Sequence, residues 1–391
     1  MNAAWVVFFK EIRENLRDRR TVVNTLVTGP LMAPLIFVLL INTVVSRELD
    51  KAEAPLSLPV AGAQYAPNLV ASLRQHDVDI EPAPADPERA VREQDADVVL
   101  RIGADYAQAW KRGEPAQVEI IYDASQQDAR GAVARLRTLL DAYGQRTGAL
   151  RLLARGLSPS ILKPVAVADR DQSTPQSRSG LFFSMLPYFF IFGCLIGGMA
   201  LAIDTTAGER ERQSLEPLLA NPVPRWQILA GKLGATTAFA ITTVLLSILA
   251  FAAVGHLMPT EKLGMAFSLG PRFIAVTMFV MLPLAMLLAA LQTLVAAFAK
   301  SYREAQTYLS LLMIVPIVPT LLLSVLPIKT RMWMYAVPLM GQQVSILRLM
   351  RGDPVPATAI ALCFVCTVVV ALGVCAIATR IYHSERLAIS T

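Results

Sequence analysis

The chain has 391 residues, is 54% hydrophobic and only 17% charged, and carries a formal charge of +6. Ordinary soluble domains are about 25% charged, so this composition excludes a disordered chain and an ordinary cytosolic enzyme. Residues 46–180 hold 17 of the 36 Lys and Arg and 19 of the 30 Asp and Glu, so the positive surplus belongs to the apolar remainder and speaks of membrane topology rather than nucleic acid.

Residues 1–20 read MNAAWVVFFKEIRENLRDRR. Trp5, Phe8, Phe9, Ile12 and Leu16 recur at three- and four-residue steps, with Lys10, Arg13, Glu14 and Arg17 between them. That spacing predicts an amphipathic interfacial helix, aromatic toward lipid and basic toward headgroups, defined by Trp5, Phe9, Lys10, Arg13 and Arg17. The apolar run at 21–45 is long enough to cross a bilayer. No small-residue cleavage site follows it, so it reads as a first span rather than a signal peptide.

Residues 46–179 have soluble composition and read as an inserted α/β domain. Strands are predicted at 56–62, 78–80, 97–102, 118–123 and 162–169. Helices are predicted at 67–75, 87–93, 106–112 and 125–154, the last with Val133, Leu136, Leu140 and Tyr143 on one face. The domain has no cysteine, so its own core must hold it. His76 is its only histidine and reads as a surface residue. No catalytic triad or metal motif is present, and the alternating Asp77, Asp79 and Glu81 read as solvated.

Five further spans follow at about 180–203, 228–254, 272–299, 305–326 and 356–378, giving an α-helical membrane protein with six transmembrane helices. With both termini on one side, that side collects 13 basic residues and the short opposite loops six. The N- and C-termini, including the tail 379–391, are therefore expected in the cytoplasm and residues 46–179 outside.

The loop between spans two and three, DTTAGERERQSLEPLLANPVPRWQILAGK (204–232), is polar but patterned. Glu209, Arg210, Glu211 and Arg212 alternate in sign. Ser214 is suited to cap a short helix, Pro217 fits its first turn, and Asn221-Pro222 ends it. Leu215, Leu218 and Leu219 form its apolar face. The result is a two-turn helix near 209–222 with an exposed leucine knob, suited either to a partner's groove or to the lipid surface.

This pattern resembles the type-two ABC export permeases, in particular the NatB-like branch with a large external domain after the first span. The likeness runs through Phe9–Thr21, which looks like that family's elbow helix. It is closest at Asp204, Gly208 to Arg212, Leu215-Glu216, Leu218-Leu219, Pro222, Arg225 and Gly231-Lys232. A weaker match is Lys300 to Tyr308. Gln213-Ser214 stands where the family commonly has Gly-Thr. The resemblance implies a permease subunit of an ATP-driven exporter in a bacterial inner membrane, working as a homodimer with two ATPase subunits. Glu209, Arg210, Glu211, Ser214, Leu215, Glu216, Leu218, Leu219, Pro222, Arg225 and Lys232 would couple to the ATPase. The chain lacks G-x-x-x-x-G-K-[ST], so ATP and Mg are expected on a separate chain, with no cofactor or metal on this one.

Within the spans the polar set is mild. Asn24, Gln292 and Gln306 read as interhelical packing or cavity residues. Gly193-x-x-x-Gly197 suits close packing, either within the chain or at a dimer seam. Cys194, Cys363, Cys366 and Cys375 all lie in apolar runs and read as packing residues. Residues 332–353, broken by Pro338 and Gly341, read as short helices dipping into the outer leaflet. Two other functions fit a six-span chain. An ion-coupled transporter or channel is disfavoured by spans without charges away from their ends. A membrane-anchored sensor with an external ligand-binding domain is disfavoured by the short tail. The substrate, sodium or an amphipathic compound, is not readable.

Overall fold

The computed structural model describes residues 2–162, 184–214, 221–257, 269–325 and 329–383, with isolated positions between them. The chain divides into two compact units, one formed by Met1–Val45 with Gln172–Thr391 and the other by Ser46–Asp171.

The first unit is helical. Helix α1 (Ala3–Arg17) opens on Asn2, whose side chain accepts from the Ala4 N–H. It stops at Asp18, which turns extended and caps the next helix by accepting from Arg20 N at 3.0 Å. Among the described residues six helices are long and apolar enough to cross a membrane: Arg19–Arg47, Leu186–Glu211, Arg225–Gly255, Pro271–Phe298, Tyr302–Leu323 and Ala357–Tyr382. These are spans one to six. Span one opens through a π-helical turn at Val23–Thr28, and its helix runs past the apolar stretch to Glu53. Spans two, three and four form the centre, where Phe190, Ile191, Val244, Phe251, Met281 and Leu284 interlock. Two short helices, Trp333–Ala336 and Met340–Met350, separate spans five and six.

Span two lies against span three because its glycines leave no side chain between them. A Cβ at Gly197 would sit 2.5 Å from Thr243 Oγ1 and 3.0 Å from Ala240 Cα, and one at Gly193 would meet Ser247 Oγ at 3.2 Å. The Gly-x-x-x-Gly motif is thus spent on packing within the chain.

The second unit carries a four-stranded sheet in the order β2-β1-β3-β4, with β1 (Leu56–Ala61), β2 (Val78–Pro82), β3 (Val98–Ile102) and β4 (Val118–Tyr122). Strand β1 pairs parallel with β2 and β3, and β3 pairs antiparallel with β4. The central strands are buried on both faces, which is why LSLPVA and VVLRI read as near-continuous apolar runs. Edge strand β2 exposes Asp79 and Glu81 to solvent. Helices α2 (Pro67–Arg74), α3 (Pro87–Arg92), α4 (Tyr106–Arg112) and α5 (Gln127–Ala154) cover the sheet. Leu69, Leu73, Val133 and Leu136 join Leu58 and Leu100 in its core. His76 is exposed, with Nδ1 2.8 Å from Ser72 O. Of the fifth predicted strand, 162–169, Leu162 ends a 3₁₀ turn and most of the rest lies outside the described residues.

Candidate functional site

The patterned loop begins where span two changes its winding. Asp204–Gly208 forms a π-helical turn, and Glu209–Glu211 resumes the α-helix. Gln213 then takes a left-handed conformation with φ 55°. Gln213 N donates to Arg210 O at 3.0 Å and Ser214 N to Glu209 O at 2.9 Å, so the helix closes in a Schellman arrangement. The Ser214 hydroxyl also donates to Glu209 O, at 3.2 Å. It takes part in ending span two. Leu215, Glu216, Leu218 and Leu219 lie outside the described residues.

From this turn, Arg210 and Glu211 reach two other helices. Arg210 donates to Ala299 O at the end of span four (3.2 Å), and Glu211 Oε2 accepts from Tyr302 N at the start of span five (2.8 Å). A carboxylate there meets the free N–H groups and positive end of that helix. Span five is capped in both directions, since Glu304 N donates to Ser301 Oγ and Lys300 N to Glu304 Oε2. Arg212 pairs with Asp204 at 2.9 Å. Arg225, opening span three, donates to Tyr382 O at the end of span six (3.3 Å). The two stretches that carry the resemblance, 208–212 and 300–308, are therefore bonded to one another.

Beneath the loop lies a buried charge cluster. Lys232, about two turns into span three, is fully buried; its Nζ pairs with Glu209 Oε2 and donates to Thr205 O at 2.7 Å. Lys10 of α1 lies 3.2 Å from Glu11, 3.4 Å from Glu14 and 3.9 Å from Glu209. Glu11 is only 2% exposed. Burial pushes its carboxyl above the usual value, against the pull of Lys232 and Lys10. Burial opposes the charge on Lys10, but Glu11, Glu14 and Glu209 outweigh it and raise that ammonium. Helix α1 comes this close because Gly231 has no side chain: a Cβ there would sit 2.7 Å from Ala4 O and from Val7 Cβ.

The sequence-predicted residues therefore separate by role. Glu209 and Lys232 are buried against each other and hold the loop's base. Pro222 is exposed, and Arg225 is half-buried. On α1, Trp5, Phe9, Arg13 and Arg17 face outward, while Phe8 and Ile12 pack inward on Leu201, Ala235 and Phe239. The aromatic stripe is thus divided between protein and surroundings. Asn24 and Gln306 line one polar cavity of about 460 Å³ with Arg20, Asp204 and Tyr302. Gln292 donates to Leu195 O at 2.7 Å and ties span four to span two. Sequence reasoning missed Glu11 and Asn15. With Val7 they form an i, i+4 stripe, and that spacing was the available signal.

The family model for ABC-2 family transporter proteins matches residues 5–380. The chain belongs to this family. The ABC transporter permease protein NatB of Bacillus subtilis (strain 168) is 27% identical over 357 residues, which cover 90% of this chain and 91% of that one. The chain is therefore a permease subunit of an ABC-2 type transporter and a membrane protein, and the family implies an ATPase partner subunit.

Proposed function

We propose that the chain is the membrane-spanning half of an ATP-driven exporter, paired with a second copy and powered by a separate ATPase that docks on residues 204–232. In this reading the loop, α1 and both termini are cytoplasmic, and residues 46–179 lie outside. The excess of basic residues on that side supports the orientation. Helix α1 acts as an interfacial elbow, with Trp5 and Phe9 in the lipid.

One observation carries the reading. The loop's turn is bonded to spans four and five through Arg210 and Glu211, and its base to span three and α1 through Glu209. Arg225 extends the chain of bonds to span six. A push on this loop is delivered to several helices at once, as a transmission element requires. Leu215, Leu218 and Leu219 supply the apolar docking knob.

The test is ATP hydrolysis by the co-purified permease and its ATPase in proteoliposomes. Leu218→Asp is expected to abolish ATPase binding with normal membrane insertion. Glu211→Arg is expected to keep binding but uncouple hydrolysis from transport. A chain that purifies without any ATPase under conditions that preserve complexes, or a Leu218→Asp variant with full coupled activity, overturns the proposal.

A further inference from the structure

A second cavity, of about 150 Å³, lies at the other end of the bundle. Ser184 and Pro187 at the start of span two, Thr320 of span five, and Gln343, Leu347 and Arg351 around helix Met340–Met350 line it. Arg351 forms that helix's C-cap and is half-buried. Its Nε is shielded from solvent and meets no acceptor, and among the described residues it makes no ion pair. A cation suits a helix C-terminus, but a shielded guanidinium N–H without an acceptor is costly.

Gln343 is only 2% exposed. Its Nε2 donates to Pro316 O at 3.0 Å, which fixes the amide. Among the described residues no donor reaches its Oε1, and the Ser184 hydroxyl is likewise without a partner. The cavity thus offers guanidinium and hydroxyl donors, one acceptor in Gln343 Oε1, and apolar walls from Pro187 and Leu347. Among the described residues that line it the only formal charge is positive, so it does not suit a bare cation.

We propose that this cavity binds a phosphodiester headgroup with an adjacent ammonium or hydroxyl, the phosphate on Arg351 and Ser184 and the donor on Gln343 Oε1. About 150 Å³ is some five water volumes of roughly 30 Å³ each, enough for a phosphate and its first substituents. Arg is the side chain best shaped for a phosphate, through its planar fork of donors. A bilayer phospholipid and an exported phosphate-bearing amphiphile share this chemistry. Placing the site in the outer leaflet rests on the orientation proposed above; the binding itself does not.

The experiment uses the full-length chain, delipidated in detergent, with native mass spectrometry reading bound dihexanoyl lipids. Phosphatidylethanolamine and phosphatidylglycerol are expected to bind. Phosphatidylcholine, whose headgroup lacks an N–H or O–H donor, binds more weakly. Arg351→Gln weakens phosphatidylethanolamine by about tenfold or more, the worth of one charged hydrogen bond. Gln343→Leu brings phosphatidylethanolamine down to the phosphatidylcholine level. Arg348→Gln, whose side chain instead donates to the Tyr335 hydroxyl, leaves binding unchanged. Thermal melts check folding, and Arg351→Lys, which keeps the charge but loses the fork, replaces Arg351→Gln if that variant does not fold. Equal binding by wild type and the folded Arg351 variant overturns the proposal. So does binding of inorganic phosphate or headgroup-free dihexanoylglycerol as tight as that of phosphatidylethanolamine. With the ATPase and MgATP in proteoliposomes, a lipid lost during turnover is cargo and one retained is a resident; both outcomes support the site. No step of the binding test needs the ATPase, so the site and the exporter reading fail separately.

Discussion

Gln213 shows what a single residue contributes to the loop. Its left-handed φ of 55° is forced by the helix ending that seats Ser214 N on Glu209 O. For a residue with a Cβ that conformation costs on the order of 1–2 kcal/mol, and glycine escapes it. Gln213→Gly is expected to raise the unfolding free energy of the purified chain by roughly 1 kcal/mol, read as a higher melting temperature. Lys232 is the opposite case, because its burial is tolerated only while Glu209 answers it. Lys232→Met strands a buried carboxylate and should destabilise by about 3–5 kcal/mol, whereas the double variant with Glu209→Met recovers most of that loss. Equal melting temperatures for the single and double variants would refute the pairing. Glu11 gives the cluster a pH response. Docking of α1 raises its carboxyl above 4.5, so the docked state holds that proton more tightly. This contribution is full below pH 4.5 and fades as pH climbs through the raised value. Glu11→Gln should therefore flatten the pH dependence of α1 docking, measured as hydrogen exchange of residues 3–17, and protect the helix at neutral pH.

At the level of elements, spans two and three are fitted through absent side chains. Gly197 faces Thr243 and Ala240 so closely that an added methyl must move backbone, while Gly193 meets only the end of the Ser247 side chain. Gly197→Ala is expected to cost about 1–3 kcal/mol and Gly193→Ala clearly less, in the same thermal assay. The reverse ranking would mean that the two helices cross elsewhere. Hydropathy located all six spans, because bilayer thickness imposes a length that composition cannot hide. The strands at 56–61, 78–82, 98–102 and 118–122 were legible for a related reason: a buried strand must be apolar and a turn must be polar. The burial of Glu11 and Lys232 was not legible. A charged side chain reads as solvent-facing unless its partner is known, and those partners come from α1 and spans two and three. The glycine motif was legible as a close contact but not as one within the chain, since a short repeat does not name the surface it meets.

Across the whole molecule, the segment between spans one and two is a protein within a protein. Its charge balance is that of a soluble domain, and among the described residues its core, with Leu58, Leu73, Val98, Leu100 and Leu136, is built from side chains between Leu56 and Tyr143. Strands β1 and β3 are covered by α2, α4 and α5 from the same unit, so each buried face is satisfied locally. About 110 residues is enough for one cooperative core. A fragment of residues 54–162, expressed without any span, is therefore expected to be soluble and to melt in a single transition. Leu100→Ala, at the centre of the sheet, should lower its stability by about 2–5 kcal/mol. The same substitution in the full chain should leave the melting of the bundle unchanged, because among the described residues its core and that of Phe190, Phe251 and Met281 share no side chain. Circular dichroism of the fragment would read its melt, and hydrogen exchange of spans two to four in the intact protein that of the bundle. A fragment that stays unfolded, or a full chain whose bundle melts earlier with Leu100→Ala, would show that the two cores depend on each other.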